Sequence, residues 1–344
     1  MFLALFELIV WAVFARTSLA STSIHRFLWY GTSYESKLRE LVDTPDLPSN
    51  SVLYAGWLDD GKIASLPPVS DLTVYGMSFS QHLSVAIREL RPALTQRVVA
   101  GPGAPMNHTY AAYQIDKALR KTRFAVIGVT SVGVEEVTTM NRGSLYIDSP
   151  FPYFYPRYKL RDGRAELAAN SLINSADQLK AALHDPAYWQ RQLEVMAAND
   201  SAFNRFFFAS DVLDRSVLGR FIRRGMSTRR LDAYSADILG PNGFRRDREA
   251  PQLFRALLRQ MIDELRQEDV KPIVFLVSTS GQGDFLYQLV EDILREESVP
   301  FVNTNDHCPS SDKRSYLPDL HFTPVCDRKF AQATLAVMDA VKLP

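Results

Sequence analysis

Leu72-Thr73-Val74-Tyr75-Gly76-Met77-Ser78-Phe79, continuing to Leu90, is the stretch that decides the fold. Leu72 to Tyr75 favours a β-strand and breaks at Gly76. From Phe79 to Leu90 apolar residues recur at helical spacing until Pro92. The unit is strand, tight turn, helix. Arg97-Val98-Val99-Ala100 repeats it, ending in Gly101-Pro102-Gly103 before a helix through Tyr113 to Lys121. Phe124 to Val129 is a third run, apolar throughout, as expected of a parallel strand buried on both faces. Pro272 to Val277 is the clearest strand, and Gly281-Gln282-Gly283 turns it into a helix from Phe285 to Glu297. Pro300-Phe301-Val302 begins a last short strand, and an amphipathic helix over Phe330 to Val341 closes the chain. Strands alternating with helices predict an α/β fold, three layers (α/β/α) around a central parallel sheet with right-handed crossovers.

The rhythm breaks between the third and fourth of these strands. Asp148 to Pro156 is aromatic and Pro-rich, while Ser175 to Met196 and Ser201 to Arg224 read as helices. The second helix carries Phe203, Phe206, Phe207, Phe208 and Phe221, a stripe assigned to core. Residues 142–250 are therefore read as an aromatic and helical insertion covering the end of the sheet where the candidate site lies. Residues 21–141 and 251–344 form the α/β domain, with a short helix at Ser33 to Leu41 and a short strand at Ser51 to Trp57.

Phe2 to Ala15 is apolar but for Glu7. It is shorter than the roughly 20 residues that span a bilayer. Ser18-Leu19-Ala20 follows, a small-x-small pattern suited to signal-peptidase cleavage. Residues 1–20 are read first as a secretory signal, then as a membrane anchor, then as a buried N-terminal helix. The expected setting is exported: periplasmic, secreted or membrane-anchored. Cys308 and Cys326 are the two cysteines. In an oxidising compartment they could bridge; two free thiols are the alternative.

With 344 residues the chain is long enough for a large core, and 39 basic residues balance 39 acidic ones, which argues against nucleic-acid binding. A cluster of Arg220, Arg223, Arg224, Arg229 and Arg230 reads as a solvated helical face. No residue spacing suggests a metal site, and no cofactor is expected. Gly101-Pro102-Gly103 lacks the Lys-Ser/Thr of a phosphate-binding loop.

In an open parallel sheet, ligands gather at the carboxyl ends of the strands. Gly76-Met77-Ser78, Gly101-Pro102-Gly103, Thr130-Ser131 and the pair Asp319/His321 all fall there. In an extended segment, residues two apart project to the same side. Asp319 could then orient His321, and His321 could take a proton from a nucleophile. Ser78, at a strand-to-helix turn, offers a hydroxyl beside N–H groups suited to an oxyanion. Among the other histidines, His82 is read as packed or at the surface, and His108 and His307 as polar loop residues near the cleft mouth.

Over residues 72–135 and 270–341 these segments resemble the SGNH (GDSL-type) hydrolase family. The resemblance implies a flavodoxin-like sheet and ester cleavage, with Ser78 in the position of the serine of the family's Gly-Asp-Ser turn. It also implies Gly103 (or Gly101) as an oxyanion-hole glycine beside the Ser78 N–H. Pro318 to Pro324 resembles the last block, with Asp319 as orienting carboxylate and His321 as base. Met77 departs from the family's Asp, and Gly128-Val129-Thr130-Ser131-Val132 lacks the Asn of its third block. Asn107 or Ser131 is left as the further oxyanion donor. The expected activity is that of a serine esterase acting on acyl esters, with O-acetyl groups on glycans one candidate substrate. An O-acyltransferase and a catalytically inactive polysaccharide-handling protein are the alternatives.

Overall fold

The protein, seen in a computed structural model, is described for residues 5–9, 12, 28–44, 53, 55–58, 60–148 and 150–341. Five parallel strands build the central sheet: β1 (Val69–Met77), β2 (Gln96–Gly101), β3 (Lys121–Thr130), β4 (Lys271–Val277) and β5 (Phe301–Asn303). Their spatial order is β2-β1-β3-β4-β5. In a doubly wound sheet of this order the chain reverses direction of winding between β1 and β3, and a crevice opens there. Ser78 immediately follows β1.

The helices that cover the sheet are α1 (Ser78–Leu90), α2 (Met106–Asp116), α3 (Glu249–Gln267), α4 (Phe285–Glu296) and α5 (Pro324–Ala340). Strand alternation sorts the buried side chains between the two faces. Leu72 and Val74 of β1, Phe124 and Val126 of β3, and Ile273 and Phe275 of β4 pack with Leu83 and Ile87 of α1 and Phe330 and Leu335 of α5. On the other face α2 packs against α3, and α3 against α4. The three expected layers are present. Helix α5 starts at Pro324, six residues before the periodicity suggests, because a proline is well suited to the first turn of a helix.

The side chains that point away from α1 and α5 are partly polar. Tyr75 donates to Asp116 Oδ2 at 2.6 Å, and Arg120 Nε lies 2.6 Å from the Tyr75 hydroxyl. Burial pushes the Tyr75 phenol well above its ordinary range. Arg97 is fully buried; it donates to Asp116 Oδ1 and to the carbonyls of Ile63, Leu66 and Pro67. Removing one partner of such a pair strands the other charge, at a cost of about 3–5 kcal/mol. Asp116→Asn is therefore expected to lower unfolding free energy by about that amount, measured by urea denaturation.

The chain divides into two compact units. The sheet unit comprises Ala55–Thr138, Pro156–Ala168 and Asp237–Pro344. The second comprises Met1–Tyr54, Thr139–Tyr155 and Ala169–Ala236, so the N-terminal segment belongs with the middle of the chain and not with the sheet. Side chains distant in sequence make this grouping. Ser33 and Ser36 hydroxyls donate to Asp214, and Tyr34 donates to the Phe151 carbonyl at 2.6 Å. Lys37 is buried, donating to the carbonyls of Tyr30, Thr32 and Ile147, and desolvation pulls its pKa down to about 7.

Several local expectations are corrected. Of Ser51 to Trp57, the described residues Leu53 and Ala55 are helical, Gly56 lies in a bend and Trp57 is irregular, so none of the described residues there is in the strand expected. The helix expected over Ser175 to Met196 is two helices, Ala176–His184 and Pro186–Asn199. Asp185 caps the second by accepting from Ala187 and Tyr188 N–H, and Pro186 opens it. Ser201 to Arg224 is not one helix but Arg205–Phe208, a short 3-10 turn and the start of Val217–Ile238. Residues Arg157–Arg161 and Arg164–Ala169 form a two-stranded hairpin within the expected insertion.

Arg229 is exposed, but most of the arginine cluster is not a solvated face. Arg223 is fully buried against Asp211 and Asp214, Arg224 pairs with Asp148, and Arg230 donates to the carbonyls of Ser144 and Ala202. Tyr153, Phe154 and Tyr155 are buried, as are Phe207 and Phe208, and Trp189 stacks on Phe208. Phe221, by contrast, is exposed. The expected signal or anchor at residues 1–20 lies mostly outside the described residues. Within it, Glu7 accepts from the Val217 and Leu218 N–H groups at the start of a helix, where a carboxylate is favoured. Among the described residues no helix is long and apolar enough to cross a membrane.

Candidate active site

Ser78 is the first residue of α1, directly after the end of β1. Met77 precedes it in extended conformation, and no side chain caps the helix. The N–H groups of a first turn have no intrahelical partners. With methionine at the cap position, none of them is taken by a capping side chain.

His321 arrives from far along the chain. His321 Nε2 lies 2.7 Å from Ser78 Oγ. Asp319 Oδ2 lies 3.0 Å from His321 Nδ1, but this nitrogen makes no aligned hydrogen bond. The distance suits an orienting pair; the direction is bent. Such contacts are often loose before substrate binds. The His321 ring holds the Asp319 carboxyl below its ordinary range even though that side chain is 65% exposed.

The backbone that presents them is a tight turn and not the extended segment expected. Leu317 N–H donates to the His321 carbonyl at 2.7 Å, and Leu320 N–H to that of Leu317 at 2.9 Å. Leu320 sits at φ 69°, in the left-handed region a branched side chain seldom occupies. His321 N–H donates to Asp319 Oδ1 at 3.2 Å, so the pair meets across a turn of the Asx kind. Below the turn, Tyr316 and Phe322 bridge as antiparallel neighbours, their rings stacked at 4.7 Å. The Tyr316 hydroxyl donates to the Ser278 carbonyl, and burial pushes its pKa up to about 12.

Cys308 and Cys326 form a disulfide that closes this turn into a loop with a sequence separation of 18. A loop of that length contributes about 3 kcal/mol by restricting the unfolded chain. Cys308→Ser/Cys326→Ser is expected to lose about 3 kcal/mol in urea unfolding, an effect mimicked by dithiothreitol on the wild type.

Of the expected oxyanion groups, Gly101 pairs in register with Met77, which brings the β2 loop beside the start of α1. Gly103, in that loop, has φ 60°, a conformation that favours glycine. Asn107 is fully buried in the first turn of α2 and donates to the Pro156 carbonyl at 3.1 Å, holding the start of the Arg157 hairpin. Ser131 is equally buried; its hydroxyl bonds to Thr279 Oγ1 and accepts from Thr279 N–H, tying the β3 and β4 ends together. These contacts tie both side chains to other backbone segments.

His108 is a buried helical residue, Nε2 2.9 Å from the Gly56 carbonyl, and desolvation pulls its pKa to about 4. His307 packs edge-on against Phe330. His184 is exposed, and His25 lies outside the described residues. Ser80 is buried against Gly76 and Gly128.

Two site residues escaped the sequence reading. Phe79 packs on the His321 ring with centroids 5.0 Å apart, and His82 stacks on it at 4.7 Å. The signal was present for His82, four residues beyond Ser78 and so on the same helix face. Among the described residues no cluster of His, Cys, Asp or Glu is arranged to hold a metal. No family model, curated protein or solved structure matches the chain.

Proposed function

We propose that this protein is a serine esterase that cleaves acyl esters through an acyl-enzyme on Ser78. The observation that carries the reading is the 2.7 Å approach of His321 Nε2 to a serine at the head of a helix, beside the switch point of a parallel sheet. Ser78 Oγ attacks the acyl carbonyl while His321 takes its proton. The imidazolium then protonates the departing alkoxide, and water repeats the cycle to release the carboxylate. Asp319, 3.0 Å from His321 Nδ1, orients the ring. The Ser78 N–H and the Gly103 loop hold the oxyanion.

The disulfide supports an exported setting, since such bonds persist in oxidising compartments. The aromatic segment lends no support to a glycan platform, because Tyr153, Phe154 and Tyr155 are buried. The substrate class is therefore proposed only as acyl esters. A fluorophosphonate probe is expected to label folded protein at Ser78, located by peptide mass spectrometry. Folded protein that stays unlabelled while hydrolysing no short acyl ester would refute the reading.

A further inference from the structure

His82 has no role in the mechanism above, yet it touches the base. It stands one helical turn beyond Ser78 on α1, and its ring lies on His321 with planes 25° apart. Its Nδ1 is 3.5 Å from Asp327 Oδ2 on α5, within ion-pair range though long for a strong hydrogen bond. Asp327 is the main cause that raises the proton affinity of His82, and Asp319 adds to it. The groups facing His82 are thus Asp327 from α5 and Asp319 and His321 from the turn.

The orienting carboxylate on His321 is exposed and bent away from the N–H direction. Solvent screens such a contact, and it restrains the imidazole plane weakly. Ring packing against Phe79 and His82 restrains that plane directly. We propose that His82, anchored by Asp327, is a positioning residue for the base: its ring sets the plane in which His321 Nε2 meets Ser78 Oγ. The kinetic consequence rests on the esterase reading; the ring geometry does not.

Nitrogen-15 histidine NMR on the full chain reads the geometry without any substrate. His321 should give one sharp set of ring signals in wild type and in His82→Phe, which keeps a stacked ring, and exchange-broadened signals in His82→Ala. In an acyl-ester assay His82→Ala should lower kcat about 10- to 100-fold with KM nearly unchanged, and His82→Phe should recover most of the loss. Sharp His321 signals and wild-type kcat in His82→Ala would overturn the assignment, as would His82→Phe no better than His82→Ala. Broadening in His82→Ala, in a protein that cleaves no ester, would sink the esterase reading and still support the placement of His82.

Discussion

Ser78→Ala is expected to lower kcat/KM for a short acyl ester by about 1,000-fold or more and to abolish fluorophosphonate labelling. The size follows from what the substitution removes. In the proposed mechanism the hydroxyl 2.7 Å from His321 Nε2 forms the new bond, and without it His321 has no proton to take. Residual rate would come from water held by the oxyanion donors, which supply only part of the total acceleration. The loss should fall on kcat, because nothing that binds the acyl group is altered. Alanine is a good helix former, so a half-exposed first position of α1 accepts it with little change in stability. Asp319→Asn should cost less, about 10- to 100-fold, because the carboxylate is exposed and ring packing also holds His321. Wild-type turnover by Ser78→Ala would end the esterase reading.

The sheet was legible because strands buried on both faces leave continuous apolar runs; Phe124–Val129 and Pro272–Val277 announce themselves for that reason. Ser78 could be picked out as a polar residue at the carboxyl end of such a run, and Asp319 and His321 as a carboxylate and an imidazole two positions apart before the last helix. The turn that joins Asp319 to His321 could not. Its left-handed residue is Leu320, whereas that conformation is usually marked in sequence by glycine or asparagine. The helix break at Asp185-Pro186 carried a cap-and-proline signal that the apolar spacing running across it obscured. The second unit was hidden for another reason. Lys37 looks like a surface charge until Ile147 is brought to it from 110 residues along the chain, and Arg223 until Asp214, which also accepts from Ser33 and Ser36, covers it. The placement of His82 needed both kinds of knowledge, its helix face and the distant turn that descends on it.

Gly76→Ala is expected to be the most damaging single-methyl change at the site. Gly76 has φ 135°, a conformation L side chains rarely adopt. A Cβ there would lie 2.4 Å from Ser80 Oγ and 2.6 Å from the Gly128 carbonyl oxygen. The serine can rotate away. The carbonyl belongs to β3, beside β1 in the sheet, and moves only if the β1–β3 pairing shifts. Strain and clash together should cost about 3 kcal/mol or more, a fall in Tm of several degrees. The shift is transmitted to Ser78 two residues on, and a displacement of about 1 Å there can lower kcat about 100-fold. Gly163→Ala supplies the control, since that glycine also has positive φ (78°) but nothing lies within 4 Å of its added methyl. It should lose about 1 kcal/mol to strain and leave kcat intact. Ser80→Ala added to Gly76→Ala should restore neither quantity, because the carbonyl obstructs the methyl with or without the hydroxyl. Recovery in that double variant, or a Gly76→Ala protein as stable and active as Gly163→Ala, would show that the close approach of β1 to β3 does not set the position of Ser78.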